Sequence, residues 1–381
     1  MKFDAADGLL QYYSGDNPDS LLAPEKAVSP WEIEYAHNDG IRKLSAQDAS
    51  RLRHWKPDKN TIILEWDRFK GQEIENLAVS AIVKADSGGA MSHWKISVDG
   101  IKGLQINNLK FPRISIASTG QEEFLAVPEW MGQLLKNPRD YLEKLKSRKF
   151  EWSYPGPLSM QCAALYSGNK GFYAACDDTL AYRKNFAFTL DSADNLLFEI
   201  VSFPPSDTSL NKYEPNYGFV SGSFKGDWIT AAEIYREWGS RQSWSRESRF
   251  RNGKTPDWLE NNALWIWNRG KSSNVLLPAE DIQRRLKLPV SVYWHWWHGC
   301  SYDDGFPEYI PPREGRKSFT AAMNKAHASG IKSIVYMNQA LWGTTTESWK
   351  NENAGEYAAR DQNGKLLTHV FNIFTGKPTA Y

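Results

Sequence analysis

From residue 264 to residue 338 the chain alternates short apolar runs with amphipathic segments, and that order constrains its architecture more than any single residue does. Residues 316–329 place Phe319, Ala322, Met323 and Ala326 at the i, i+3, i+4 and i+7 positions of one helical face. Gly330 follows where a glycine helix cap belongs. Residues 331–338 (IKSIVYMN) form an apolar run ending in polar groups, the pattern of a strand buried on both faces. Upstream, residues 264–270 (LWIWNRG) repeat this grammar before a predicted helix at 279–286, and residues 289–295 open another apolar strand. Three strand-plus-helix units in succession predict a parallel β/α arrangement.

Parallel sheets bind ligands at the carboxyl ends of their strands. Asn268 and Arg269, residues 296–304, and Asn338 with Gln339 all fall at those ends. The middle segment, 289–315 (PVSVYWHWWHGCSYDDGFPEYIPPREG), gathers three tryptophans, two histidines and an Asp-Asp pair. Flat aromatic faces cover the C–H faces of sugar rings, and carboxylates and imidazoles hydrogen-bond at the ring edge. Carbohydrate chemistry is therefore the leading expectation.

The 17 tryptophans strengthen it, because eight lie between Trp258 and Trp349, near the predicted strand ends. Other classes fit poorly. Basic and acidic side chains nearly cancel, 46 against 45, so no positive field exists to hold nucleic acid or an anionic membrane surface. Three scattered cysteines, Cys162, Cys176 and Cys300, make neither a disulfide framework nor a zinc ribbon and read as free thiols. No cofactor or metal is expected. Residues 1–20 carry no charged-then-apolar leader and no apolar run reaches about 18 residues, which predicts a cytoplasmic chain, or a secreted one whose leader was removed.

Up to about residue 205 the pattern changes to short alternating or β-branched runs, at 61–66, 77–84, 93–98, 104–116, 171–175 and 196–203. This predicts an antiparallel β-sandwich. A helix at 227–244, with Asp227 as N-cap, closes it. The predicted organisation is a sandwich over 1–245, a charged linker over 246–262, and a β/α region over 263–381.

The segments YPGPLSMQ (154–161), GNKGFYAACDD (168–178), GDWITAAEIYREW (226–238) and WHGCSYDDGFPEYIPPREG (297–315) together resemble an uncharacterised, DUF6259-like group of predicted glycoside hydrolases. More distantly they resemble α-galactosidases and endo-α-N-acetylgalactosaminidases. The resemblance implies a galactose-mutarotase-like sandwich followed by a (β/α)8 TIM barrel, and it puts His298 and Asp303 at the family's strand-end histidine and loop aspartate. Such a barrel needs roughly 250 residues. Residues 263–381 supply about half of that, so the barrel is expected to be incomplete in this chain, with the catalytic carboxylates after later strands.

The expected substrate-binding residues are Trp296, Trp297, His298, Asp303, Asp304 and Asn338; no catalytic residue is assigned. A retaining glycosidase needs two carboxyl groups about 5 to 5.5 Å apart and an inverting one about 6.5 to 9.5 Å. Asp303 and Asp304, adjacent in a loop, are expected to accept sugar hydroxyls rather than to be that pair. Of the two histidines, His298 lies nearer the loop, and His295 reads as core. The expected activity is hydrolysis of glycans by a two-carboxylate mechanism, with a non-catalytic carbohydrate-binding protein as the alternative. An aldose mutarotase using the sandwich, where His93 is the one histidine near a predicted strand, ranks below both.

Overall fold

The computed structural model describes residues 2–12, 27–37, 40–88, 90–361 and 363–381. Of the stretch read for a leader, Met1 and residues 13–20 lie outside the described residues. The chain divides into two compact units, Met1–Arg246 and Glu247–Tyr381.

The first unit holds a ten-stranded and a six-stranded sheet, both antiparallel. Strand alternation explains how they face each other. In Met91–Asp99 of the larger sheet, Ser92, Trp94, Ile96 and Val98 point inward and are buried, while His93 and Lys95 point out. The sheets meet through aromatic rings: Trp94 lies 5.8 Å from Phe111, and Phe172 lies 5.3 Å from Phe198, each pair joining the larger sheet to the smaller. Such edge-to-face contacts between opposed sheets form a sandwich core.

Cys162–Ser167 is buried along its whole length, unlike a strand with one face in solvent. A helix covers its second face. Trp228–Gly239 begins at Asp227, whose carboxylate accepts the Ile229 amide at 2.9 Å, and Ala231 of this helix packs on Ala164, Tyr166 and Tyr173. Cys162 and Cys176 are buried free thiols, pushed up by desolvation, Cys162 to about 12.

The second unit contains β1 (Leu264–Arg269), α1 (Ser272–Leu286), β2 (Val290–His295), α2 (Gly315–Ala328) and β3 (Lys332–Val335). The strands are parallel in the order β1-β2-β3, with Asn268, Trp294 and Val335 in register. Helix α1 starts seven residues before its predicted beginning, because Pro278 reads locally as a helix start but sits inside the helix. Proline has no N–H to give the Asn274 carbonyl, and the side-chain amide of Asn268 donates to that oxygen instead at 2.8 Å. A residue at the end of β1 thus repairs the helix that follows.

One face of this sheet, made by Leu264, Ile266, Val290, Val292, Trp294 and Val335, packs beneath Val275, Leu276 and Ala279 of α1 and Phe319, Ala322, Met323 and Ala326 of α2. The other face carries Trp265, Trp267, Tyr293, His295 and Ile334. Trp265 and Trp267 are 39% and 60% exposed, with edge contacts to Trp258 at 6.2 Å and His295 at 5.3 Å respectively. After β3, Glu347–Asn351 forms a short α-helix, and a small antiparallel sheet joins Trp342–Gly343, Thr379–Ala380 and Thr368–His369. Among the described residues no helix is long and apolar enough to cross a membrane.

Candidate functional site at the carboxyl end of the parallel strands

The parallel register fixes the floor of the site. His295, the last residue of β2, shares the open face with Trp267 and Tyr293, and its ring stacks on Tyr336 at 4.2 Å with an interplanar angle of 17°. From Tyr336 the rings run on to Tyr302 at 6.3 Å and from Tyr302 to Trp296 at 5.3 Å. Six rings, the His295 imidazole among them, therefore line one strand mouth.

Two residues there adopt left-handed backbone without being glycine: Trp296 at φ +55° and Asp303 at φ +65°. For a bulky L-residue this conformation costs about 1–2 kcal/mol, and such strain collects where side-chain direction matters. At Trp296 the turn ends the alternation of β2, so the ring leaves the sheet and lies under the Arg269 guanidinium, 4.6 Å away.

The six expected binding residues divide by burial. Trp296, Asp303 and Asn338 are partly exposed; Trp297, His298 and Asp304 are buried. Trp297 donates its indole N–H to the Tyr336 carbonyl at 2.8 Å and stacks on Tyr309, so both its polar handle and a ring face have protein partners. His298 is fully enclosed by Tyr302, Phe306 and Tyr309. Its Nδ1 lies 3.2 Å from the Cys300 carbonyl and 3.1 Å from the Cys300 thiol, while Nε2 has no hydrogen-bond partner among the described residues. Asn338 accepts the Ala340 and Leu341 amides at 2.9 Å each, which makes its side chain a turn former, and it donates to the Tyr336 hydroxyl.

Asp304 accepts the Thr375 hydroxyl through one carboxylate oxygen; the other is buried without a partner among the described residues. The Asp303 carbonyl accepts the Thr379 hydroxyl at 2.6 Å, and Asn372 donates to the Tyr302 carbonyl at 3.0 Å. Segment 372–379 thus clamps the acidic loop from one side. Gly343 presses on the other, since a Cβ built there would stand 2.0 Å from the Asp304 carbonyl oxygen.

Burial, then the neighbouring Asp304, pushes the Asp303 carboxyl above its ordinary value. Burial pushes the Tyr302 hydroxyl up to about 12. Both histidines are lowered by burial first, His295 also by Arg269 and His298 also by Arg313, and the neutral imidazole is favoured in the folded chain. The unfolded chain then takes up protons first as the pH falls below about 6.5, so stability is lost on acidification and levels off only below the folded-state values. Thermal denaturation between pH 7 and pH 5 is expected to show the second unit losing up to about 1.4 kcal/mol per pH unit per histidine, with His298→Phe flattening the slope. A slope unchanged in that variant would remove His298 from the account.

Arg269, Tyr302, Tyr336 and Thr375 belong to this mouth but were not among the expected binding residues. Strand-end position pointed to Arg269, and adjacency to the Asp-Asp pair was available for Tyr302. Thr375 lies 71 residues from Asp304 with no local signal. Among the described residues no group of three or more His, Cys, Asp or Glu is placed to hold a metal.

The chain is 20% identical over 387 aligned residues to a protein of Bacteroides thetaiotaomicron named "Putative glycoside hydrolase", covering 96% of this chain and 53% of that protein. It thus spans about half the length of the curated relative it matches. Among solved structures it is similar to the alpha-N-acetylgalactosaminidase NagBb from Bifidobacterium bifidum. The GalNAc complex gives a TM-score of 0.64 at 14% identity, covering 100% of this chain and 63% of that one. The Gal-NHAc-DNJ complex gives 0.64 at 12%, covering 100% and 62%. At such identities the likeness is one of fold. Residues 213–381 match the model of the family described as "Domain of unknown function (DUF6259)", the family the sequence motifs resemble, and over that span the chain carries its pattern.

Proposed function

We propose that this chain is the sandwich and the opening β/α units of a glycoside hydrolase that cleaves glycans through two carboxylates, with Trp296 and Asp303 at the sugar site. The observation that carries the reading is the convergence of Trp296, Tyr302, His295, Tyr336 and the partly exposed Asp303 carboxylate at one strand mouth. The name of the Bacteroides relative and the NagBb-like fold support it. The exposed rings of Trp265 and Trp267 support the opening of a (β/α)8 barrel, because in a closed barrel that face is interior. In this reading the catalytic pair is completed by residues of the parent enzyme beyond those named here.

The test is a screen of the complete parent enzyme on nitrophenyl α- and β-glycosides, N-acetyl-α-galactosaminide included, followed by Asp303→Asn. Asparagine tolerates the left-handed backbone, so the substitution isolates the charge. A loss of about 1–3 kcal/mol in kcat/KM with an unchanged melting temperature is expected. Wild-type kinetics in the variant would remove Asp303 from the site, and a parent inert on every glycoside would defeat the hydrolase reading.

One observation favours a sugar-binding protein without catalysis. Glu308 accepts the Ser348 amide at 2.9 Å and Glu314 the Ser272 amide at 2.7 Å, so both glutamates serve the backbone and, among the described residues, leave Asp303 without a second free carboxylate beside it. Sugar binding by the parent without turnover would decide for this alternative.

A further inference from the structure

Resting on the glycan-site reading above, the geometry points to a more specific ligand: we infer that the strand mouth takes a sugar bearing an oxyanion substituent, a carboxylate or a sulfate ester, held by Arg269, over the Trp296 ring, and Arg313, at the Trp296 carbonyl.

Arg269 is exposed at the end of β1, its guanidinium lies over the Trp296 ring at 4.6 Å, and it reaches toward Trp267 at 5.9 Å. Arg313 approaches from the loop, donating from Nε to the Trp296 carbonyl at 2.9 Å. Its backbone amide donates to the Trp297 carbonyl, also at 2.9 Å, so the base of this side chain is fixed. Among the described residues the side-chain partners of these two arginines are the Trp267 and Trp296 rings and the Trp296 carbonyl, none of them a carboxylate.

The carboxyl of Asp303, the acidic group of the same mouth, is raised by burial and then by Asp304. His295 is lowered by burial first and then by Arg269. A guanidinium stacked on an indole is held in plane, and its fork of N–H donors stays open for a planar or tetrahedral oxyanion. The left-handed Trp296 backbone holds the ring in that position. The Arg269 guanidinium over the indole, and the Arg313 N–H groups not used on the Trp296 carbonyl, are the donors offered to a charged substituent of the sugar.

Titration of the chain with uronate oligosaccharides, O-sulfated oligosaccharides and neutral counterparts, followed by tryptophan fluorescence and calorimetry, tests this. Acidic ligands are expected to bind at least about tenfold more tightly than neutral ones, with the advantage shrinking as salt rises. The uronate and sulfate arms identify which oxyanion is preferred. Arg269→Gln is expected to abolish the acid preference while neutral binding persists, and Arg269→Lys to restore part of it, since the charge returns without the fork. Equal affinity for acidic and neutral sugars overturns the inference and leaves the glycan site standing, as does an acid preference intact in both Arg269→Gln and Arg313→Gln. Binding of no sugar in any arm overturns the glycan site and this inference together.

Discussion

Replacing Lys184 with methionine is expected to destabilise the first unit by about 3–5 kcal/mol, read as a fall in the urea midpoint with an unchanged slope. Lys184 and Asp178 are almost completely enclosed, at 0% and 2% exposure. An ammonium has three protons, and each finds an acceptor: Asp178 Oδ2 at 2.6 Å, the Tyr182 carbonyl at 2.7 Å and Gln161 Oε1 at 3.2 Å. The rings of Tyr217 and Tyr154 complete the shell at 4.3 and 4.9 Å. Methionine keeps the stem but leaves a buried carboxylate without its countercharge, and that desolvation cost exceeds what its remaining bonds from the Leu180 and Tyr182 amides return. Adding Asp178→Asn to the same chain should recover a good part of the loss, because the buried charge disappears with its partner. A single variant within about 1 kcal/mol of the parent would show that water reaches the pair.

Gly343→Ala is expected to be the most damaging small substitution in the second unit, at about 3 kcal/mol. The new Cβ would meet the Asp304 carbonyl oxygen at 2.0 Å and the carbonyl carbon at 2.7 Å, and these are backbone atoms that no rotamer change can move aside. The Gly343 amide also donates to the Phe306 carbonyl at 2.9 Å, so the two strands of chain cannot part without losing that bond. The acidic loop must shift, and with it the Thr375 and Thr379 hydroxyl contacts to Asp304 and Asp303. Thermal unfolding and the near-ultraviolet dichroism of Trp296 and its neighbours report both effects. A variant with native melting and native aromatic signals would mean that the loop is not held where the structure places it.

The motifs at 154–161 and 168–178 were visible in the sequence as a family pattern, but their physical purpose was not. Gln161 donates to the Asp178 carbonyl at 2.5 Å and accepts from Lys184, so the ends of both segments close over one buried charge. Periodicity said only that strands were present. Similarly, the start of α1 was misplaced because Pro278 carries a strong local signal, whereas the bond that tolerates it comes from Asn268 on another element. His298 and Trp297 were expected at the mouth by their distance from the strand end; a left-handed turn at Trp296 redirected the chain and buried both.

The amino-acid order alone determined the antiparallel sandwich, the parallel strands and helices after it, and the gathering of aromatic and acidic residues at 296–304, because strand alternation, helical spacing and caps are properties of neighbours along the chain. Which of those side chains meet solvent, which carboxylate stays free, and what grips the acidic loop were decided by tertiary packing. Those outcomes depend on contacts such as Asp304 with Thr375 and Lys184 with Gln161, between residues whose separation in sequence leaves no periodic trace.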